Sequence, residues 1–152
     1  MEEYVVLCLD ELRIALPLSV VERVIRAVYL TPLPGAPDIV LGAVNVQGRV
    51  IPVVNMRRRF RLEDRQIALT DRLVIAHTTQ RPVALVADAV SGVLEYPEPA
   101  LVDAENILPG LEYVDGVAKL EDGLILIHNL NRFLSLDEES ALEHAMASAG
   151  GQ

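Results

Sequence analysis

Residues 39–60 have the sequence IVLGAVNVQGRVIPVVNMRRRF. Two runs rich in valine and isoleucine, 40–46 and 49–55, flank the dipeptide Gln47-Gly48. Strand-forming runs on either side of a short glycine-containing turn are typical of an antiparallel hairpin. We therefore predict a β-hairpin with Gln47-Gly48 as its turn.

The order of elements around this hairpin occurs twice in the chain. Four residues recur 74 positions later, with Gly42, Asn55, Met56 and Arg58 matched by Gly116, Asn129, Leu130 and Arg132. Five others recur 69 positions later, with Ala15, Leu16, Val21, Val24 and Ile25 matched by Ala84, Leu85, Val90, Val93 and Leu94. A duplicated set of about five short strands predicts two small β-barrels side by side, with a groove for a partner at their seam.

The predicted fold is therefore all-β and forms one domain over residues 1–136. Its first barrel covers about residues 4–70 and its second about residues 71–135, and an exchange of strands between the two is left open. Residues 20–28 fit either two helical turns or an extended segment, because their apolar spacing is helical but their side chains are β-branched.

The C-terminal residues 137–152 predict a short helix with a frayed tail. Ser135 and Asp137 are both candidates for its N-cap, because their side chains can accept hydrogen bonds from the first backbone amides of a helix.

Composition narrows the class of protein. The chain has 152 residues and a formal net charge of −9, which argues against nucleic acid or an anionic membrane surface as the main partner. A single cysteine, Cys8, excludes an internal disulfide and fits a reducing compartment. No export signal and no apolar run long enough to span a membrane is evident, so we expect a cytoplasmic protein that is not inserted in a membrane.

The sequence contains no recognisable catalytic or metal-binding motif. The three histidines lack metal-ligand spacing, phosphate-binding glycine loops are absent, and we expect His77 and His128 to be structural histidines with hydrogen-bond partners. Asp88 lies among apolar residues, where it is either a perturbed base or, as we favour, an acceptor for backbone amides. Arg57 to Arg59 predict a solvated edge or a patch facing a partner. We expect no enzymatic activity, no metal and no cofactor.

Three segments in order resemble the CheW family of bacterial chemotaxis proteins. They are residues 39–60, residues 86–93 with the sequence VADAVSGV, and residues 116–127 with the sequence GVAKLEDGLILI. The resemblance covers residues 3–135 and implies the CheW-like fold of two packed SH3-like five-stranded β-barrels. It also implies a non-catalytic adaptor that joins the regulatory domain of a CheA-type histidine kinase to the cytoplasmic tip of a chemoreceptor.

Motif positions imply two sets of site residues. The candidates for the receptor-binding groove are Val21, Arg23, Val24, Gln47 and Leu73. The residues expected to hold turns and strands in shape are Gly42, Asn45, Gly48, Asp88, Gly116 and Gly123. For Val21 and Val24 a place in the core is about equally expected.

The chain departs from the family pattern where charge is concerned. Gln47 stands where the family has arginine, and Arg23 stands where a facing glutamate is common, so the usual charge pair is missing. Asn55 and Asn129 occupy positions where aspartate is common. These departures favour an alternative, a diverged CheW-like scaffold or modulator in another two-component system for motility or development. A small-molecule-binding β-barrel protein, with Asp88 and His128 converging on a polar pocket, is a third hypothesis.

Overall fold

A computed structural model describes residues 2–97 and 114–150. The loop between Tyr96 and Tyr113, whose proline and glutamate residues we expect to contact a neighbouring component of the signalling complex, lies almost wholly outside the described residues. The end of the tail at 151–152 also lies outside them. Ten strands occur in the described residues: β1 Glu2–Leu9, β2 Leu12–Pro17, β3 Val21–Arg26, β4 Val40–Val46, β5 Arg49–Val54, β6 Arg72–His77, β7 Pro82–Ala87, β8 Ala89–Tyr96, β9 Val114–Leu120 and β10 Gly123–His128. The helices in the described part of the chain are α1, Met56–Arg59, and α2, Leu136–Gly150, with 3₁₀ turns at Leu18–Val20 and Leu130–Arg132.

The strands form two five-stranded sheets. Sheet A has the order β8-β1-β2-β10-β9, and sheet B has the order β3-β6-β7-β5-β4. Each sheet therefore contains strands from both halves of the chain, and the division between sheets does not follow the sequential division at residue 70. The all-β fold expected from the strand pattern is confirmed.

The two sheets repeat the same arrangement. If β1 to β5 are matched with β6 to β10, the two strand orders become identical. The single parallel pairing in each sheet also corresponds, since Ile127 pairs with Ala15 and Val53 pairs with Ala84. These residues are related by the offsets of 74 and 69 found in the sequence. The duplication is thus present in the strand pairing.

Alternation along the strands produces three cores. In β1, Val5 and Leu7 face a core shared by the two sheets, whereas Tyr4 and Val6 face a smaller cluster within sheet A. Sheet B has a corresponding cluster that includes Leu73 and is drawn from its own strands alone. Central strands are consequently buried on both faces, which is why they consist of valine, leucine and isoleucine with few aromatics. We call the shared cluster the inter-sheet core.

The β4–β5 turn has the predicted two-residue form. Gln47 and Gly48 both have positive φ, 53° and 82°, as a type I′ turn requires. The Asn45 side chain accepts a hydrogen bond from the Gly48 amide at 2.9 Å. Gly42 is needed for a different reason, because a Cβ atom there would lie 2.8 Å from the Thr31 carbonyl oxygen.

Helix α2 begins with a capping box. The Ser135 hydroxyl accepts from the Glu138 amide at 3.2 Å, and the Glu138 carboxylate accepts from the Ser135 amide at 2.9 Å. Of the two predicted N-cap candidates, Ser135 is therefore the one used. The apolar side of the helix, at Leu142 and Ala145, packs on Leu33 and covers one end of sheet B.

Candidate functional site

The residues predicted to line the receptor groove lie mainly on β3. Among the described strands this one lies at one end of sheet B, next to β6, and its residues 21–26 are half-buried or exposed. It is extended throughout, which decides between the two structures that its sequence allowed. Val21 packs against the rim of the inter-sheet core, Val24 is 40% exposed, and Arg23 is exposed.

Leu73 must be removed from the groove candidates. It lies in β6 opposite Ile25 and is fully buried in the cluster within sheet B. Its side chain has no exposed surface, so a partner cannot contact it.

Gln47 is exposed at the tip of the β4–β5 hairpin. The two elements are joined by an ion pair in which Arg49 donates to the Glu22 carboxylate at 2.6 Å. The hydrogen bond from Arg49 lowers the pKa of Glu22. A charge pair therefore joins β3 to the hairpin, but it is formed by Glu22 and Arg49 and not by Arg23 and Gln47.

An apolar cleft next to the groove residues was not predicted. It has a volume of about 580 Å³ and lies between the segment after β3 and the loop before β6. Its walls include Val28, Tyr29, Leu41 and Leu69, which are exposed by 46%, 94%, 41% and 71%. Exposed apolar patches of this kind commonly bind other proteins. The only sequence signal was an aromatic residue, Tyr29, beside a proline-rich loop.

Arg57 does not belong to a solvated edge, as the sequence had suggested. Its side chain is 8% exposed and donates to Asp10 at 2.8 and 3.0 Å and to Asp88 at 2.8 and 2.9 Å. Arg65 also binds Asp88, and it binds Asp71 at 2.6 Å. This ion network ties α1 to the β1–β2 turn and to the junction of β7 and β8. Arginine is suited to it because one guanidinium can serve two carboxylates.

Asp88 is an acceptor, as we favoured from its sequence context. Its carboxylate accepts from the Asp10 amide at 2.6 Å in addition to the two arginines. Burial alone would raise the pKa of Asp88, but these hydrogen bonds outweigh burial and the pKa is lowered. The hydrogen bond from Arg57 likewise lowers the pKa of Asp10. A carboxylate with a lowered pKa is a weak proton acceptor, so Asp88 is unsuited to act as a general base near neutral pH.

His128 differs from our expectation of a histidine with hydrogen-bond partners. It is 1% exposed, and neither ring nitrogen has a hydrogen-bond partner among the described residues. Its ring packs between Phe60 and Phe133, at centroid distances of 5.5 and 5.4 Å. Burial lowers the pKa of His128 to about 3, so the ring is neutral.

Asn55 and Asn129 now have a physical explanation. Each side-chain oxygen caps the following turn by accepting from the amide two residues later, at 3.0 Å in both cases. Each side-chain nitrogen donates to a carboxylate, that of Asp64 at 3.1 Å and that of Asp115 at 3.2 Å. An aspartate could provide the cap but would repel the facing carboxylate.

The remaining structural positions lie at strand ends and in the β9–β10 hairpin. Gly123 begins β10 with φ at 136° and lies against Arg13. Gly116 pairs with Ile127. Among the described parts of the chain, no helix combines the length and apolar character that crossing a membrane requires.

Comparisons with known proteins agree on one family. The family model of the CheW-like domain matches residues 3–138. The chain is similar to the chemotaxis protein CheW of Rhizobium meliloti (strain 1021), with 28% identity over 113 residues, 73% of each chain. It is similar to protein FrzA of Myxococcus xanthus, with 31% identity over 96 residues, 63% of this chain and 60% of that protein. Among solved structures, scaffolding protein TtCheW from Thermoanaerobacter tengcongensis matches with a TM-score of 0.81 and 26% identity, over 90% of this chain and 94% of that one.

Proposed function

The chain belongs to the CheW family, and we propose from this premise that it is a non-catalytic adaptor in a chemotaxis-like signalling complex. It couples a CheA-type histidine kinase to chemoreceptors in the cytoplasm. The observation that carries the proposal is the match of nearly the whole chain to this family and to a scaffolding protein of the same fold.

The receptor tip is assigned to the groove beside β3. Val24 offers an exposed apolar contact at one end of sheet B, and Arg23 is its exposed neighbour on β3. Gln47 is exposed at the tip of the hairpin that the Arg49–Glu22 ion pair joins to β3. An amphipathic helix can be held by such a surface through its apolar stripe, with polar contacts at the margin. Val21 supports Val24 from the rim of the inter-sheet core.

The regulatory domain of the kinase is assigned to the apolar cleft. An adaptor needs a second surface that remains available when the first is occupied, and the cleft has its own lining residues, which include none of the groove candidates. Tyr29 and Leu69 project furthest into solvent, and large exposed side chains of this kind commonly anchor protein interfaces.

The rival hypothesis of a small-molecule-binding barrel is not favoured. It required Asp88 and His128 to converge on a polar pocket. Asp88 is engaged with Arg57 and Arg65, whereas His128 is enclosed by phenylalanines.

Calorimetric titration with each partner separately tests the assignment. The regulatory domain of the CheA-type kinase and a receptor-tip helical hairpin, both from the same source, are the two ligands. We expect Val24→Glu to weaken receptor binding by about tenfold or more with kinase binding unchanged, and Leu69→Asp to do the reverse. Leu124→Glu is the matched control, because Leu124 is 40% exposed like Val24 but lies in sheet A. Binding of neither partner by the unaltered chain would reject the adaptor function.

A further inference from the structure

Two arginines lie side by side at the border of the receptor groove. Arg26, the last residue of β3, is exposed and lies directly opposite Arg72, the first residue of β6. We call these two residues the arginine pair. Like charges placed directly opposite each other in an antiparallel ladder destabilise it. The arginine pair therefore lowers the stability of the free chain unless an anion lies between the two guanidinium groups.

The arginine pair shares a face with the exposed valine of the groove. Arg26 follows Val24 by two residues, and alternate residues of a strand point to the same face. Val24 is 40% exposed and lies opposite Val74, which belongs to the inter-sheet core. This face thus runs from the inter-sheet core through Val24 to two positive charges.

The acidic residues nearest in the sequence do not neutralise the arginine pair. Glu22 is engaged in its ion pair with the β4–β5 hairpin. The buried Asp71 carboxylate accepts from Arg65 at 2.6 and 2.9 Å. Within the described part of the chain, Arg26 forms no ion pair, and Arg72 donates to two backbone carbonyl oxygens. Both guanidinium groups are therefore available to an anion from outside.

The fold itself does not require arginine at these two places. The equivalent pair in sheet A, 69 residues away for each member, is Glu95 of β8 opposite Glu3 of β1. Protection of a sheet edge explains a charge on the end strand β3, but it does not explain one on β6, which has a neighbouring strand on each side. An anionic ligand accounts for positive charge at both places.

Positive charge extends over the rest of sheet B. Residues 21–87, which contain all five of its strands, hold ten of the 13 basic residues but five of the 22 acidic ones. An acidic partner that approaches sheet B therefore meets a favourable field, although the net charge of the whole chain is −9.

The spacing along β3 matches one turn of a helix. Val24 and Arg26 are separated by about 6.7 Å along an extended strand. Residues four apart in an α-helix are separated by about 6 Å along its axis. A helix that lies along β3 can thus seat one apolar residue on Val24 and place the side chain one turn away between the two arginines.

From these observations we propose that Arg26 and Arg72 bind one carboxylate of the receptor tip and thereby select the receptor. The receptor helix that this chain serves has an aspartate or a glutamate one turn from the apolar residue that contacts Val24. One carboxylate can accept from two guanidinium groups, and hydrogen bonds of this charge-assisted kind are about twice as strong as neutral ones. A receptor tip with a basic residue at that position is rejected, because the arginine pair repels it.

This selection rests on the proposed adaptor function, since it names the chemistry of the partner in the groove. It adds two specificity-determining residues that motif positions did not include among the groove candidates. Kinase binding is independent of the selection, because neither arginine lines the apolar cleft.

Calorimetric titration of the full chain with the receptor-tip hairpin from the same source tests the proposal. We expect Arg26→Glu to weaken receptor binding by about tenfold or more at about 0.1 M salt, with kinase binding unchanged. The difference should be smaller at about 0.5 M salt, because salt screens exposed charges. Arg61→Glu makes the same change of charge at an exposed position outside the groove, and it should leave receptor binding within about twofold of the unaltered chain.

A measurement of stability separates receptor binding from folding. Arg26→Glu replaces two like charges by two opposite charges across the ladder, so its urea denaturation midpoint should equal or exceed that of the unaltered chain. A variant that is at least as stable but binds the receptor more weakly has lost a contact with the receptor and has kept its fold.

Exchange of charge between the partners identifies the carboxylate. The aspartates and glutamates of the hairpin are changed to lysine one at a time. We expect one of these hairpin variants to bind the unaltered chain about tenfold or more weakly and to regain binding to Arg26→Glu.

Two results would overturn the selection by the arginine pair. One is receptor binding by Arg26→Glu that equals that of the unaltered chain, and the other is the absence of any lysine variant whose binding Arg26→Glu restores. If the unaltered chain binds kinase and receptor in these experiments, the adaptor function stands without the selection. If it binds neither partner, the adaptor function is rejected and the selection with it.

Discussion

The inter-sheet core has two ends that the duplication makes equivalent but the side chains make different. At one end Arg57 binds Asp10 at 2.8 Å, within a network that includes Asp88 and Arg65. At the other end the corresponding residues are Asn131 and Thr79, and the Thr79 amide donates to the Asn131 side chain at 2.8 Å. We call these the ionic end and the neutral end.

The comparison separates what the fold needs from what each end adds. Strand order and the parallel pairing are the same in both sheets, so the fold requires a contact at each end of the inter-sheet core. The side chains that make this contact are free to differ between the two ends. The neutral end also has His128 where the ionic end has Val54, and both are buried. The ends should therefore respond differently to mutation and to pH.

The largest difference in stability between the two ends should appear when the central side chain of each end, Arg57 or Asn131, is removed. Arg57→Ala leaves Asp10 without its cation and Asp88 with Arg65 alone, and we expect the free energy of unfolding to fall by about 3 kcal/mol. Asn131→Ala removes one hydrogen bond at an exposed position and should cost about 1 kcal/mol or less. Urea denaturation of the two variants measures both values. Equal losses would mean that the ionic end is no stronger than the neutral one.

The second expected difference is in the pH dependence of stability, which His128 should give to the neutral end. Because its pKa is about 3 in the folded protein and near 6.5 in the unfolded chain, the unfolded chain binds a proton that the folded protein refuses between these values. Stability from the neutral ring is complete above about pH 6.5 and should fall by about 1.4 kcal/mol per pH unit as the pH decreases towards 3.

Denaturation midpoints between pH 7 and pH 4.5 provide the measurement, because the lowered pKa values of Asp10 and Asp88 affect stability only below their ordinary value of 3.8. His128→Leu keeps a side chain of similar size and removes two buried nitrogens without partners. We expect a flatter pH dependence in this variant. His144→Leu, at an exposed position of α2, is the control and should leave the slope of the unaltered protein. If His128→Leu leaves the change of stability with pH unaltered, His128 is not the source of the pH dependence.

Much of the fold was predictable because it depends on patterns among residues that are close together in the sequence. The hairpin around Gln47-Gly48, the repeated glycines and asparagines and the β-branched runs all depend on neighbours in sequence. The exchange of strands between sheets was not decided, because an exchanged and an unexchanged pair of barrels require the same strand pattern. It depends on the parallel pairings of β5 with β7 and of β10 with β2, which the sequence does not specify.

The candidate site was predictable only where it lies on one strand. Val24 and Leu73 are both apolar strand residues, and alternation does not distinguish an end strand from a central one. Arg57 was misplaced for a related reason, since its partners Asp10 and Asp88 are 47 and 31 residues away. Only the topology brings them together.

The smallest expected difference in stability concerns the two capping side chains, Asn55 near the ionic end and Asn129 near the neutral end. Asn55→Asp keeps the cap of α1 but turns the hydrogen bond with Asp64 into a contact between carboxylates, and we expect a loss of about 1 kcal/mol at pH 7. Asn129→Asp should cost less, because Asn129 is more exposed than Asn55, which is 8% exposed. Asn55→Asp with Asp64→Asn restores one amide and one carboxylate and is the control: its stability should return to that of the unaltered chain. If the single and the double variant are equally destabilised, repulsion between carboxylates is not the reason that asparagine stands at this cap.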